Sequence, residues 1–240
     1  MTAIDKCKAF LLDIAFPNRC PFCGDFIMWD KHICGKCEEK LQKANDIICR
    51  KCGKGKCVCG REKFNYDMAF AAFIYNEELV SQAIYHFKKT GEMNIAEYAV
   101  KDIALRIKRE SIPVPDIIVP VPMGRKKQRK RGHNQAELLA KCIGKELDRP
   151  VCGDILFKYD TKDEQHLHSA EERQERVKTL FYTGKADLSG MTVMLCDDVM
   201  TTGATISECA GLLKQLGAEC VISAVCAVTI LEKTLSEEDV

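Results

Sequence analysis

The sequence predicts an α/β protein in which a parallel sheet is flanked by helices and a small cysteine-rich domain comes first. Three observations lead to this prediction. Nine of the fifteen cysteines fall before residue 60. Apolar runs of strand length alternate with helical patterns over the rest of the chain. One such run leads into two adjacent acids and a loop of small and hydroxyl-bearing residues, within Met191 to Thr205.

The helices are predicted from apolar residues that recur three and four positions apart. Proline and glycine mark their ends, as with Pro17 after the first helix, Gly91 after the second and Gly217 after the last. In chain order the predicted helices are Lys6–Phe16, Glu77–Lys88, Ile95–Arg109, Ala136–Leu147 and 206–216.

The strands are predicted from short apolar runs bounded by turn residues. In chain order they are Met68–Tyr75, Asp116–Pro122, Val151–Phe157, the run that begins at Met191, and Cys220–Ile230. The segment from Lys158 to Glu175 is polar and has no firm apolar face, so we expect a flexible hood there, just before the strand that begins at Met191.

Composition narrows the classes of function. The chain of 240 residues has a formal net charge of +1, so no global field attracts it to nucleic acid or membrane. Residues 1–60 carry eleven Lys plus Arg against seven Asp plus Glu, a mild indication of a polyanionic partner that a solvated surface explains equally well. No apolar segment reaches the length of about eighteen residues that spans a bilayer. We therefore expect no membrane insertion, no signal peptide in Ala9–Phe16, and a cytoplasmic protein.

The early cysteines fall into two sets with the spacing of zinc ligands. Two C-x-x-C turns separated by ten residues offer four thiolates to a tetrahedral Zn²⁺. The second set is tighter and ends in C-x-C. Free or redox-active thiols are the alternative, and the spacing does not decide which turn pairs with which. The expected ligands are Cys20, Cys23, Cys34 and Cys37 in the first set and Cys49, Cys52, Cys57 and Cys59 in the second.

The stretch after Met191 has the order strand, acid pair, anion-binding loop. A loop that opens a helix offers unpaired N–H groups to phosphate, and Gly203 lets the backbone approach a ligand closely. Asp197 and Asp198, when ionised, accept hydrogen bonds from hydroxyl groups. The stretch therefore predicts a sugar phosphate site. Its loop comprises Thr201, Thr202, Gly203, Ala204 and Thr205.

A second charged stretch follows the strand that ends at Pro122. Six of the eight residues from Gly124 to Arg131 are cationic. A solvated charge run is the usual explanation of such a stretch. However, the stretch follows a strand of the predicted parallel sheet. We therefore expect a second loop, beside the one at Thr201–Thr205, at the edge where ligands of such sheets bind. Clustered Arg and Lys would neutralise a diphosphate.

Residues Val193 to Thr205 resemble the motif by which type I phosphoribosyltransferases bind phosphoribosyl diphosphate (PRPP). With the cysteines and the segment Arg129 to Gln135, which follows a Pro-x-Pro strand, nearly the whole chain resembles the ComF family. The resemblance implies a double zinc ribbon at 1–62 and a type I phosphoribosyltransferase-like domain at 63–240. Because Thr201 stands where enzymes acting on 6-oxopurines usually carry an acid, purine salvage is disfavoured.

The resemblance also implies roles and partners. Asp197 and Asp198 would hold the ribose hydroxyls, the loop from Thr201 to Thr205 together with Gly124 would bind PRPP, and Mg²⁺ would bridge its oxygens. Arg125, Arg129 and Arg131 would stabilise the departing diphosphate in a glycosyltransferase reaction with an unknown acceptor. ComF relatives are associated with competence and DNA uptake, so the alternative is a non-catalytic protein that binds single-stranded DNA alongside the competence machinery.

Overall fold

The computed structural model describes residues 17–75, 78–159 and 180–230. The predicted helix Lys6–Phe16 and nearly all of the predicted hood lie outside these ranges. Within them, the helices are α1 (Gly35–Lys40), α2 (Glu78–Thr90), α3 (Asn94–Arg109), α4 (Arg125–Arg131), α5 (Gln135–Leu147) and α6 (Ala204–Gln215). The strands are β1 (Met68–Ile74), β2 (Ile117–Pro120), β3 (Leu156–Lys158), β4 (Phe181–Thr183), β5 (Thr192–Met200) and β6 (Cys220–Val228).

Four strands form a parallel sheet in the order β1-β6-β5-β2. In register, Pro120 of β2 is beside Cys196 of β5, and Asp197 is beside Val225 of β6. The carboxyl end of β2 therefore lies next to the acid pair of β5. This arrangement confirms the predicted α/β sheet and brings the two charged stretches to the same edge.

The sheet is buried on both faces, because helices pack against each side of it. Alternate residues of a strand point to opposite faces. Met194 packs with α2, α3 and α5 on one face, and Val193 and Leu195 pack with α6 on the other. Such two-sided burial explains the nearly continuous apolar runs in the sequence. None of the helices in the described ranges has the length and hydropathy that crossing a bilayer requires.

Three predicted elements differ from the structure. Val151–Phe157 is not one continuous strand: Val151 forms an isolated bridge with Ile118, and the strand begins only at Leu156, in a separate antiparallel pair of β3 and β4. The basic stretch is not a loop but the helix α4, since Arg, Lys and Gln favour helices. Strand β5 does not stop before the acids but continues through them to Met200, which is buried.

The cysteine-rich segment wraps around the β1 edge of the sheet. Cys20, Phe22 and Ile33 belong to the same apolar cluster as α2 and α3, whereas Ile48 and Tyr66 belong to the cluster on the α6 face. The two cysteine sets therefore lie on opposite sides of the sheet.

Candidate functional site

The acid pair lies in the last part of β5. Asp197 and Asp198 are partly exposed, and their side chains turn back onto the strand. Asp197 Oδ1 accepts the N–H of Asp198 at 2.8 Å, and Asp198 Oδ1 accepts the N–H of Val199 at 2.7 Å. The carboxylates are therefore held in place by backbone donors at the end of β5.

The surroundings of Asp197 disfavour its ionised form. Burial, and after it the charge of Asp198, raises the pKa of Asp197 well above the usual range of a carboxyl group. The positive charge of Lys88 opposes this shift. A carboxyl group whose pKa is raised by burial and a neighbouring charge is typical of sites where charge is used in binding or catalysis.

Lys88 was not predicted as a site residue. In the sequence it is only the last residue of a predicted helix, Glu77–Lys88. In the structure it lies near the carboxyl end of α2, and its Nζ is 3.1 Å from Asp198 Oδ2. The side chains of Lys88 and Asp198 are 29% and 17% exposed, so this ion pair is largely shielded from solvent. Its only sequence signal is position: α2 follows β1, a strand of the same parallel sheet.

The loop after β5 has the geometry of an anion site. Gly203, in the left-handed region at φ +81°, is the N-cap of α6, so a substitution there would be strained. Thr202 Oγ1 accepts the N–H of Ala204 at 3.3 Å. Thr201 and Thr202 are exposed, while Ala204 and Thr205 already belong to the first turn of α6. The N–H groups in the first turn of a helix have no partners within the helix, so a helix start of this kind suits a phosphate.

A cavity of about 320 Å³ has a lining of five cationic residues. Arg131 is the one predicted site residue among them, and Arg125 and Arg129 are exposed elsewhere on α4. Because Lys88 both lines the cavity and contacts Asp198, the cavity adjoins the acid pair. The lining is Lys88, Lys89, Lys127, Lys130 and Arg131.

The segment between α4 and α5 fixes one wall of this cavity. Gln135 Oε1 accepts Arg131 Nη1 at 3.1 Å, and Gln135 Nε2 donates to the carbonyl of Lys88 at 3.3 Å. Asn134 donates to the carbonyl of Val121 at 3.0 Å and accepts the N–H of Ala136 at 3.2 Å, which caps α5. Asn134 and Gln135 thus connect the end of α2 to α4 and to the end of β2.

Both cysteine sets form compact clusters with the predicted partners. Within each set, the four Sγ atoms all lie within 4.8 Å of one another. The Sγ atoms of Cys23 and Cys34 are 3.6 Å apart, and those of Cys49 and Cys59 are 3.8 Å apart. A tetrahedral Zn²⁺ with Zn–S bonds of about 2.3 Å separates its sulfurs by about 3.8 Å. The clusters fit structural zinc and resolve the pairing that spacing left open.

Backbone donors prepare the second cluster for metal. Hydrogen bonds, first from the backbone of Cys52 and then from that of Lys51 and from neighbouring thiols, lower the pKa of Cys49 to about 6, which favours the thiolate. Burial instead raises the pKa of Cys59 to about 12. The turn is closed by two backbone hydrogen bonds of 2.8 Å, from Cys49 to the Lys54 carbonyl and from Gly53 to the Cys49 carbonyl. Zinc binding here would supply folding free energy to a segment with little apolar core of its own.

Comparison with known proteins agrees with this combination of zinc clusters and a parallel sheet. Residues 11–68 match the double zinc ribbon domain, and residues 133–238 match the phosphoribosyl transferase domain. A purine phosphoribosyltransferase structure from Pyrococcus horikoshii Ot3 is 20% identical with a TM-score of 0.37, covering 56% of this chain and 73% of that one. The class is therefore a phosphoribosyltransferase-type fold with a double zinc ribbon, on the evidence of the matched domains and the strand order.

Relatives over nearly the full length define the family. Competence protein F of Haemophilus influenzae is 30% identical over 220 residues, covering 85% of this chain and 94% of that protein. Competence protein ComFC of Bacillus subtilis is 26% identical over 235 residues, covering 92% and 94%. DNA utilization protein YhgH of Escherichia coli K12 is 26% identical over 200 residues, covering 79% and 87%. The chain belongs to the ComF family.

Proposed function

We propose that this protein binds PRPP with Mg²⁺ and transfers its phosphoribosyl group to an acceptor. The observation that carries the proposal is the Lys88–Asp198 ion pair, because it joins the acid pair to the cationic cavity. Asp197 and Asp198 would accept the ribose hydroxyls, the loop at Thr201–Gly203 would bind the 5-phosphate, and the cavity would bind the diphosphate.

The reaction this site supports is a displacement at the anomeric carbon of ribose. The bond from that carbon to the diphosphate oxygen breaks, a bond to the acceptor atom forms, and the acceptor loses a proton. Positive charge develops on the ribose, which the carboxylates favour, while Lys88, Lys89 and Arg131 stabilise the departing diphosphate. Bound Mg²⁺ would supply further neutralisation of the diphosphate charge.

Calorimetry with PRPP and Mg²⁺ tests the proposal. The wild type should bind, and the double variant Asp197→Asn/Asp198→Asn should lose binding. A matched control is Glu146→Gln/Asp154→Asn, which removes two exposed carboxylates from another part of the surface. Equal binding by the wild type and the site variant would remove the acid pair from the proposed site.

A second candidate function is binding of single-stranded DNA, which would place this chain in DNA uptake as the names of its relatives suggest. The observation that favours it is α4, whose residues Arg125, Lys126 and Arg129 are exposed cations beside those of the cavity. Such a surface would bind phosphates with an affinity that falls steeply as salt increases. A salt series on oligonucleotide binding by the wild type and the Asp variant distinguishes this function, since the loss of carboxylates should leave DNA binding intact.

A further inference from the structure

The second cysteine cluster packs directly against the loop that we propose as the phosphate site. Lys54 lies in the turn between Cys52 and Cys57, and its Nζ donates to the carbonyl oxygen of Thr201 at 2.8 Å. The Lys54 side chain also lies 5.9 Å from the centre of the Phe64 ring. A residue of the zinc-binding turn therefore holds the first peptide of the phosphate loop.

Tyr66 and Gly53 tighten this junction further. The Tyr66 hydroxyl donates to the carbonyl of Cys52 at 2.9 Å and lies 3.1 Å from the position of a Cβ on Gly203. A Cβ on Gly53 would overlap the side chain of Met200, the last residue of β5. The turn, the strand end and the loop thus leave each other little room to move.

The Lys54 contact also sets a direction. In a trans peptide, the C=O of one residue and the N–H of the next point in opposite directions. Because the Thr201 carbonyl points to Lys54, the N–H of Thr202 points away from the zinc-binding turn. Holding that orientation in advance would spare the ligand the entropic cost of ordering the loop.

We infer that Lys54 is a positioning residue for the phosphate loop, so that phosphate affinity depends on the second zinc cluster and not on the first. This inference rests on the proposed function. The first cluster packs on the opposite face of the sheet, where Cys20 and Cys37 contact the apolar cluster of α2 and α3. It therefore serves as an internal control for the second.

Two halves of PRPP used as separate probes test the inference. Ribose 5-phosphate reports on the loop, and inorganic diphosphate with Mg²⁺ reports on the cationic cavity. Lys54→Met should weaken the binding of ribose 5-phosphate by about tenfold or more, the loss of affinity typical of removing a charge-assisted hydrogen bond. It should leave the affinity for diphosphate within about twofold and the zinc content unchanged. Lys54→Arg, which keeps a cationic donor, should recover part of the lost affinity.

The control variant is Lys56→Met, which removes an exposed lysine from the same turn and makes the same change in charge. Failure of the wild type to bind PRPP would contradict the proposed function itself. If the wild type binds, equal ribose 5-phosphate affinity in the Lys54 and Lys56 variants would overturn the inference. An equal loss of affinity for ribose 5-phosphate and for diphosphate in Lys54→Met would also overturn it, since that result indicates general damage to the fold.

Amide hydrogen exchange gives a readout that needs no ligand. Lys54→Met should increase exchange at residues 201–203, because the loop loses its anchor, and should leave exchange in α3 unchanged. Cys57→Ser/Cys59→Ser should produce the same increase, whereas Cys20→Ser/Cys23→Ser should not. Equal exchange of the loop in the two cysteine variants would contradict the dependence on the second cluster.

Discussion

The ammonium group of Lys88 lies 3.1 Å from a carboxylate oxygen of Asp198. These residues come from α2 and β5, and the strand that precedes α2 is separated from β5 by β6. The ion pair therefore crosses the carboxyl ends of the parallel strands. It connects α2, which contains none of the site residues predicted from the sequence, to the centre of the proposed site.

Lys88→Met should weaken binding of PRPP with Mg²⁺ by about tenfold, because it removes a cation from the cavity and leaves Asp198 without its partner. Calorimetry measures this directly. Lys108→Met, which removes an exposed lysine from α3, is the control and should bind as the wild type does. Unchanged affinity in Lys88→Met would exclude the lysine from the ligand site.

The affinity for PRPP should increase with pH. Burial raises the pKa of Asp197, so a larger fraction of this carboxyl keeps its proton near neutrality. Ribose hydroxyls bind more strongly to the ionised form, because a charged acceptor makes the stronger hydrogen bond. Affinity should therefore be lost as pH falls through the raised pKa. Titrations from about pH 6 to pH 9 should show this slope in the wild type and a weaker slope in Asp197→Asn, which cannot ionise. Identical slopes would contradict the assignment.

The same shift has a consequence for folding. The native state holds the Asp197 proton more tightly than the unfolded chain does, so the contribution of this group to stability is present at low pH. It is lost as pH rises from the usual carboxyl range through the raised pKa. Urea unfolding across this range should show that Asp197→Asn, which stays neutral, is stabilised relative to the wild type at high pH. A difference that does not change with pH would argue against a raised pKa.

The wild type should contain two zinc ions per chain, one in each cluster. Cys57→Ser/Cys59→Ser should retain one, and removal of both by a chelator should lower the melting temperature, because the metal contributes folding free energy. Elemental analysis and thermal unfolding provide the two measurements. Cys152→Ser, at a cysteine outside both clusters, should keep the full zinc content. A wild type with one zinc ion would show that one cluster is not a metal site.

Gly91→Ala should destabilise the protein by about 1–3 kcal/mol. Gly91 has φ +71°, and a Cβ there would lie 3.0 to 3.1 Å from three ring atoms of His133. Urea unfolding measures the change. Gly153→Ala is the control, since a Cβ at Gly153 meets nothing within 4 Å. Equal stability of the two variants would show that the contact with the His133 ring imposes no constraint.

Much of the fold follows from local patterns in the sequence. The helices α3 and α5 and the strands β1 and β6 agree with the predictions to within a few residues. The helices have a strong apolar period, and the strands are nearly continuous apolar runs. The two cysteine sets were also predicted, since spacing directly reflects the turns that zinc requires. The domain boundary at residue 62 and the roles of the site residues stay predictions.

The contributions of Lys88 and Lys54 depend on tertiary packing and have no local signal. Lys88 reaches the acid pair only because α2 returns over the edge of the sheet, and Lys54 reaches Thr201 only because the cysteine-rich segment folds back on β5. The prediction of a loop at α4 failed for a different reason: function was inferred from charge, while helix propensity decided the backbone.

Strand β1 is an edge of the main sheet, and the cysteine-rich segment occupies its open side. Lys43 forms an antiparallel bridge with Phe73, and the N–H of Ala69 donates to the carbonyl of Arg50 at 2.8 Å. Zinc starvation would uncover this row of backbone groups together with the buried Phe73. An uncovered apolar strand is a template for pairing with other chains, so metal supply would govern whether newly made protein stays dispersed or aggregates.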